Sequence, residues 1–281
     1  MELDSTHLMQ VAVETAREAS TVALEGFRKP LVISTKRDLH DMVTVFDKAT
    51  EERIRGLLLA RVPSSRVVGE EGGATGEGRV EWFVDPIDGT SNFARGIALW
   101  CVSIAAAVDG EVVAGAVYDP VADTMFHADV TGSWLNGMPI RAVGATTPES
   151  ATLIAHYPMP WDLAGDTSVA LGAFENLVTR YAAIRNLGSS ALSLAHVAAG
   201  WCDGTMCLGI NPWDVAAASF ILKQAGGVYR GFRDGAEVHG TADYLQPHYY
   251  GTVSGAEFPE IEQILRYGSR LLDQLPRRGI A

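Results

Sequence analysis

Residues 81–93, EWFVDPIDGTSNF, run an apolar segment into two aspartates three places apart, Asp85 and Asp88, with Pro86 between them and Gly89-Thr90 behind. A strand followed by an Asp-Gly turn is commonplace, and on that reading both aspartates are turn formers. Asp85 fits it poorly. A carboxylate closing the apolar Trp82-Phe83-Val84 run is desolvated, which is costly unless something of opposite charge meets it. A cation removes the difficulty. A helix-loop-helix calcium loop is excluded, because the twelfth place counted from Asp85 holds Gly96 where that loop needs glutamate. Two oxygen ligands close together, with the Ile87 carbonyl between them, suit Mg²⁺, which fills its remaining positions with water or substrate phosphate. Gly89 and Thr90 then offer backbone amides to phosphate oxygens, and Pro86 stiffens the turn.

Two further segments carry acids at comparable junctions. VVGEEGG places Glu70 and Glu71 after an apolar pair, and NPWDVAAASF places Asp214 at the start of a helix. Taken singly, the glutamates read as solvated loop residues and Asp214 as a helix cap.

Around these segments the pattern reads helix, sheet, helix, sheet, helix. Residues 7–28 and 49–62 have apolar positions at helical spacing, and the glycine-rich run 69–78 reads as a loop. VSIAAAV and VVAGAVY form a hairpin around Asp109-Gly110, with TMFHADV and an Asn136-Gly137 turn extending the sheet. Helices are expected over 168–181, 190–201, 213–227 and 256–275. A shift in character near residue 140 divides an α+β half, 1–140, with most of the acidic candidates from an α/β half, 141–281, with Asp214, within one compact unit.

The chain has 281 residues, 47% of them hydrophobic, enough for a substantial core. Its 34 acidic and 22 basic residues leave a formal charge of −12, and no basic block offers a footprint for a nucleic acid polymer. The first residues lack a secretory pattern and no apolar run is long enough to span a membrane, so a cytoplasmic location without membrane association is expected. Cys101, Cys202 and Cys207 form an odd set without metal or disulfide spacing and read as reduced thiols. Phosphate-loop, serine-elbow and zinc-helix motifs are missing.

GEE, WFVDPIDGTSNF and PWDVAAASFILKQAGG, in this order and at these intervals, resemble the inositol monophosphatase family of Mg²⁺-dependent, lithium-sensitive phosphatases, the superfamily that includes fructose-1,6-bisphosphatase. Landmarks extend upstream to DMVTVFD and downstream to LGSSALSLAHVAAGWCDG. The resemblance implies a layered α/β/α/β/α sandwich of the sugar-phosphatase type, a homodimer, and hydrolysis of a small phosphorylated substrate by direct attack of a metal-activated water. It implies that Glu70, Asp85 and the Ile87 carbonyl hold one Mg²⁺, that Asp85, Asp88 and Asp214 hold a second, and that a third, weaker ion lies near Glu70. Thr90 and Glu70 then flank the attacking water, with Asp47 orienting Thr90. The other reading of Asp47 is a helix N-cap before KATEERI, with Glu51 completing the cap motif. Lys36 matches a family lysine or is a surface charge.

Substrate contacts are implied for Asp88, Gly89, Thr90, Ser190 and Asp214, and one position departs from the family. Seven residues before Asp214 the family has a glutamate that accepts hydrogen bonds from ring hydroxyls, whereas this chain has Cys207. A thiol is a weak acceptor, and losing the charged one forgoes roughly 1.5 to 3 kcal/mol. Cys207 also reads simply as a small buried hydrophobe. Inositol 1-phosphate is the first expected substrate; histidinol phosphate, fructose 1,6-bisphosphate and adenosine 3′,5′-bisphosphate are alternatives. A catalytically idle regulatory dimer that binds metal and phosphate is the alternative of another class. Residues 156–167 read as a lid or a dimer contact, and Arg185 as an ion-pair residue or a substrate contact.

Overall fold

Helix α1 (Ser5–Gly26) opens where Asp4 accepts the Thr6 N–H, and it buries Leu8, Val11, Ala12, Ala16 and Ala19 along one face. The computed structural model describes residues 4–31, 33–35, 42–240 and 242–274, so Lys36 lies outside the described residues. Strands β1 (Ile33–Thr35) and β2 (Met42–Thr44) pair antiparallel and lead directly into α2 (Val45–Arg61). The helix begins ahead of the expected residue 49 because Thr44 and Asp47 form a capping box, which satisfies its first backbone donors. Asp47 is thus the third residue of the helix and not its N-cap.

β3 (Ser65–Gly69), β4 (Gly73–Gly76) and β5 (Val80–Asp88) follow, so part of the expected 69–78 loop is an exposed edge strand. After α3 (Thr90–Ala94) come β6 (Cys101–Val108), β7 (Glu111–Asp119), β8 (Thr124–Asp129), β9 (Gly132–Leu135) and β10 (Met138–Pro139). The later part adds β11 (Thr152–Ala155), α4 (Pro160–Gly165), α5 (Thr167–Arg180), β12 (Ala183–Arg185), α6 (Ser190–Ala198) and β13 (Gly204–Leu208). It closes with α7 (Pro212–Gln224), β14 (Val228–Arg233), β15 (Ala236–Val238), β16 (His248–Thr252) and α8 (Pro259–Gln274).

The first sheet has eight strands in the order β10-β9-β8-β7-β6-β5-β3-β4, antiparallel except between β3 and β5. The second has six, in the order β12-β11-β13-β16-β14-β15. Helices α1 and α2 cover the outer face of the first sheet, α6 and α7 lie between the sheets, and α8 with α5 backs the second. That is the layered α/β/α/β/α sandwich. Coverage on both faces explains why β5 and β6 read as unbroken apolar runs. Val102, Ile104 and Ala106 of β6 join the cluster under α1, while Cys101, Ala105 and Ala107 join the cluster shared with α6 and α7. That second cluster draws on residues before and after position 140.

Residues 156–167 form α4 and its approaches: buried Asp162 accepts the Met159 N–H at 2.7 Å, and α4 packs against α5 and α8. Among the described residues no helix is long and apolar enough to cross a membrane. The three cysteines are free.

Candidate active site

Strand parity aims the acids of β5. Val80, Trp82 and Val84 face α1 and α2, whereas Phe83 faces the middle helices, and Asp85 follows Phe83 onto that side. Asp85 pairs across the ladder with Ser103, whose hydroxyl reaches the Trp213 carbonyl in the first turn of α7 at 3.4 Å. The next residue on α7 is Asp214. In the parallel pair Gly69 lies opposite Val84, and the Glu70 N–H donates to the Val84 carbonyl at 3.2 Å, so Glu70 comes alongside Asp85. A break in register between Asp85 and Asp88 then turns the end of β5, with the Ile87 N–H donating to Asp85 Oδ1 at 3.0 Å.

Residues far apart in the chain therefore share one electrostatic neighbourhood. Asp85 is 2% exposed, and burial pushes its carboxyl well above the ordinary range; the charges of Glu70, Asp88 and Asp214 push the same way. Asp88 rises to about 6, again chiefly by burial, opposed by hydrogen bonds from the Ser189 hydroxyl and the Ala191 and Ser190 amides. The Ala191 N–H lies 2.7 Å from Asp88 Oδ2, and the Ser189 hydroxyl donates to the same oxygen. Asp214 is the third residue of α7, and its Oδ2 accepts the Asn211 N–H at 2.7 Å in a capping box. Asp85, Asp88 and Asp214 each turn an oxygen to a backbone amide, and among the described residues no three acidic, histidine or cysteine side chains close into a finished coordination shell. The donor chemistry is nevertheless that of a hard divalent cation: carboxylates and a carbonyl, partly buried, with the strongest charges acting on Asp85 all acidic.

The adjoining turn is built on Gly89. It sits at φ +96°, and a Cβ there would meet the Leu99 carbonyl oxygen at 2.9 Å, so only glycine fits. Thr90 follows, with its hydroxyl 3.0 Å from both Asp47 Oδ1 and the Ile87 carbonyl. Asp47 is 1% exposed, and its Oδ2 accepts the Thr44 N–H at 2.7 Å and the Thr44 hydroxyl at 2.6 Å, leaving Oδ1 for Thr90. Asp47 is therefore not the N-cap weighed from sequence but the capping-box partner of Thr44, and the same carboxylate makes the contact to Thr90. Burial raises the Asp47 carboxyl; the bonds from Thr44 and Thr90 oppose that rise, and the Glu70 charge adds to it.

Cys207 is buried in β13, opposite Tyr249 of β16. Burial, with the nearby Asp214 charge, pushes its thiol up to about 12, while a hydrogen bond with Ser190 pulls the other way. Ser190, Cys207 and Asp214 are thus neighbours. Arg185 is exposed and donates to its neighbour's carbonyl, Ile184, at 3.0 Å.

Two contributors escape sequence reasoning. Ser189 caps α6 by accepting the Leu192 N–H at 3.1 Å while holding Asp88. Glu51, read as part of a cap motif, instead accepts the N–H groups of Glu71 and Gly72. Only a serine directly before an apolar helix, and the four-residue spacing of Asp47 and Glu51, hinted at either.

A family model described as the inositol monophosphatase family matches residues 4–261. The chain is 34% identical over 233 residues to Nus factor SuhB of Pasteurella multocida, covering 81% of this chain and 86% of that protein. It is 37% identical over 191 residues to a fructose-1,6-bisphosphatase/inositol-1-monophosphatase of Aquifex aeolicus, covering 67% and 72%. Among solved structures, the Thermotoga maritima IMPase superposes with a TM-score of 0.80 at 25% identity, covering 95% of this chain and 98% of the other.

Proposed function

The chain belongs to the inositol monophosphatase family, and from that membership we propose that it is a Mg²⁺-dependent phosphomonoesterase of a small polyol or sugar phosphate, with inositol 1-phosphate the first substrate to test. The reading is carried by one observation: the fold brings Glu70, whose N–H meets the Val84 carbonyl, and Asp214, next to the Trp213 whose carbonyl Ser103 reaches, to the end of β5 that carries the buried Asp85 and Asp88. Glu70, Asp85 and the Ile87 carbonyl would hold one ion, and Asp85, Asp88 and Asp214 a second. When bound, such ions neutralise phosphate charge, acidify water and stabilise the departing oxygen.

The remaining work falls to this chain's own groups. A hydroxyl has one proton, so Thr90 donates to either Asp47 or Ile87; donation to Asp47 turns its lone pairs toward an attacking water, which they align. Glu70 accepts that water's proton. The Gly89 and Thr90 amides meet the phosphate oxygens, and Ser190 and Cys207 face the alcohol half. The neutral thiol at Cys207 supports a site less selective for ring hydroxyls than one with glutamate there.

Purified protein with Mg²⁺ is expected to release phosphate from at least one of inositol 1-phosphate, glycerol 2-phosphate, histidinol phosphate, fructose 1,6-bisphosphate and adenosine 3′,5′-bisphosphate. Release from none would overturn the enzymatic reading. Relatives bearing the name Nus factor SuhB favour a second reading, in which the fold also serves a protein partner. Cation binding without turnover on any of these compounds would support that partner role alone.

A further inference from the structure

We propose that Glu51 is a positioning residue for the phosphatase reaction, holding the backbone that presents Glu70; the inference rests on the role given to Glu70 above. Glu51 is 2% exposed on α2. Its Oε2 accepts the Glu71 N–H at 2.7 Å and its Oε1 the Gly72 N–H at 2.8 Å, so both amides after Glu70 end on one carboxylate. Arg55, one turn further along the helix, donates to Glu51 Oε1 at 2.6 Å and to the Gly73 carbonyl at 3.2 Å, closing the clamp from the other side.

The glycines around the two glutamates belong to the same device. A Cβ on Gly69 would lie 2.3 Å from the Glu51 carboxyl carbon, and one on Gly72 would lie 2.8 Å from Oε1. The backbone wraps the carboxylate too closely for a side chain on either flank, which gives the Gly-Glu-Glu-Gly sequence a physical cause. An ordinary Glu-Arg helix pair explains neither the buried carboxylate nor the two amides it accepts.

Glu51 stands four residues after Asp47, hence on the same face of α2. Asp47 holds Thr90 and Glu51 holds the Glu70 loop, so both groups assigned to the attacking water are located from one rigid helix rather than from separate loops. A displacement of about 1 Å between such groups costs on the order of 10²-fold in rate.

The test compares wild type with Glu51→Ala, Glu51→Gln and Gly72→Ala, using whichever phosphate ester the wild type hydrolyses best. Glu51→Ala is expected to lower kcat about 10²-fold with KM within about threefold, whereas Glu51→Gln, which still offers an acceptor oxygen, stays within about tenfold of wild type. In metal-free protein, amide exchange at Glu71 and Gly72 should quicken at least about tenfold in Glu51→Ala and remain unchanged at the distant Asp109-Gly110 turn. Gly72→Ala, whose methyl group presses on Oε1 and Arg55 at an ordinary φ, should lower kcat about tenfold. A folded Glu51→Ala with kcat within twofold of wild type, or with only KM altered, overturns the proposal. If Glu51→Ala does not fold, an unchanged kcat in Gly72→Ala overturns it instead. Should the wild type hydrolyse nothing, the phosphatase reading is what fails, and unchanged exchange at Glu71 and Gly72 would still remove the clamp.

Discussion

At Cys207 a thiol occupies buried space beside Ser190 and Asp214, and with its pKa pushed up to about 12 it stays neutral at any working pH. In the proposed reading this residue sets how strongly the site favours a polyhydroxylated ring. Cys207→Glu should raise the ratio of kcat/KM for inositol 1-phosphate over glycerol 2-phosphate about tenfold, the lower end of what a charged acceptor contributes. The same change adds an acid beside Asp214 and should lower the melting temperature. Steady-state kinetics on both esters check it; an unchanged ratio would remove Cys207 from the substrate contacts. Asp85 stood out in the sequence because it closes an apolar run, where a carboxylate needs a reason, whereas Glu70, Asp88 and Asp214 read singly as loop, turn and cap residues and were joined to it only by the order and intervals of the motifs that carry them. Ser189 did not stand out, since its contact to Asp88 spans about a hundred residues and leaves no local pattern.

At the scale of elements, two helix beginnings meet the end of β5. The first turn of α6 supplies the Ser189 hydroxyl and Ala191 amide to Asp88, and the first turn of α7 carries Asp214. The Ser189 bond lowers the Asp88 pKa from the height burial alone would give. Ser189→Ala should therefore raise that pKa above about 6 and shift the acid limb of the pH–rate profile to higher pH. It also removes the cap on α6, at about 1 kcal/mol of stability. A pH–rate profile superimposable on wild type would contradict the link between α6 and Asp88. The start of α2 shows why element boundaries were harder to read: Val45 and Phe46 look like the tail of a strand, and only the closed Thr44–Asp47 box shows that the helix has begun. Element types came through more clearly, because the alanine-rich β6 run and the 3.6-residue spacing of α1 reflect packing that the sheet's two covered faces require.

Across the whole molecule, an acidic chain of formal charge −12 concentrates carboxylates between its layers. For Asp85 and Asp88 the folded pKa is raised, so without cations each lowers stability as pH climbs from the unfolded value of 3.8; for Asp88 the loss runs through about 6 and is fully present at neutral pH. Divalent cations bind the charged form and offset that cost. Mg²⁺ at about a hundred times its dissociation constant should raise the melting temperature by roughly 5 °C at pH 7.5 and by much less at pH 5, where protons compete. Differential scanning calorimetry at both pH values checks the sign; an equal shift at both would point to cation binding elsewhere.

The most direct measurement is anomalous diffraction from crystals of the protein soaked in Mn²⁺. Peaks are expected within coordination distance of Glu70, Asp85, Asp88 and Asp214, with Asp85 touching more than one of them. A bound ion elsewhere, with none among those carboxylates, would contradict the account.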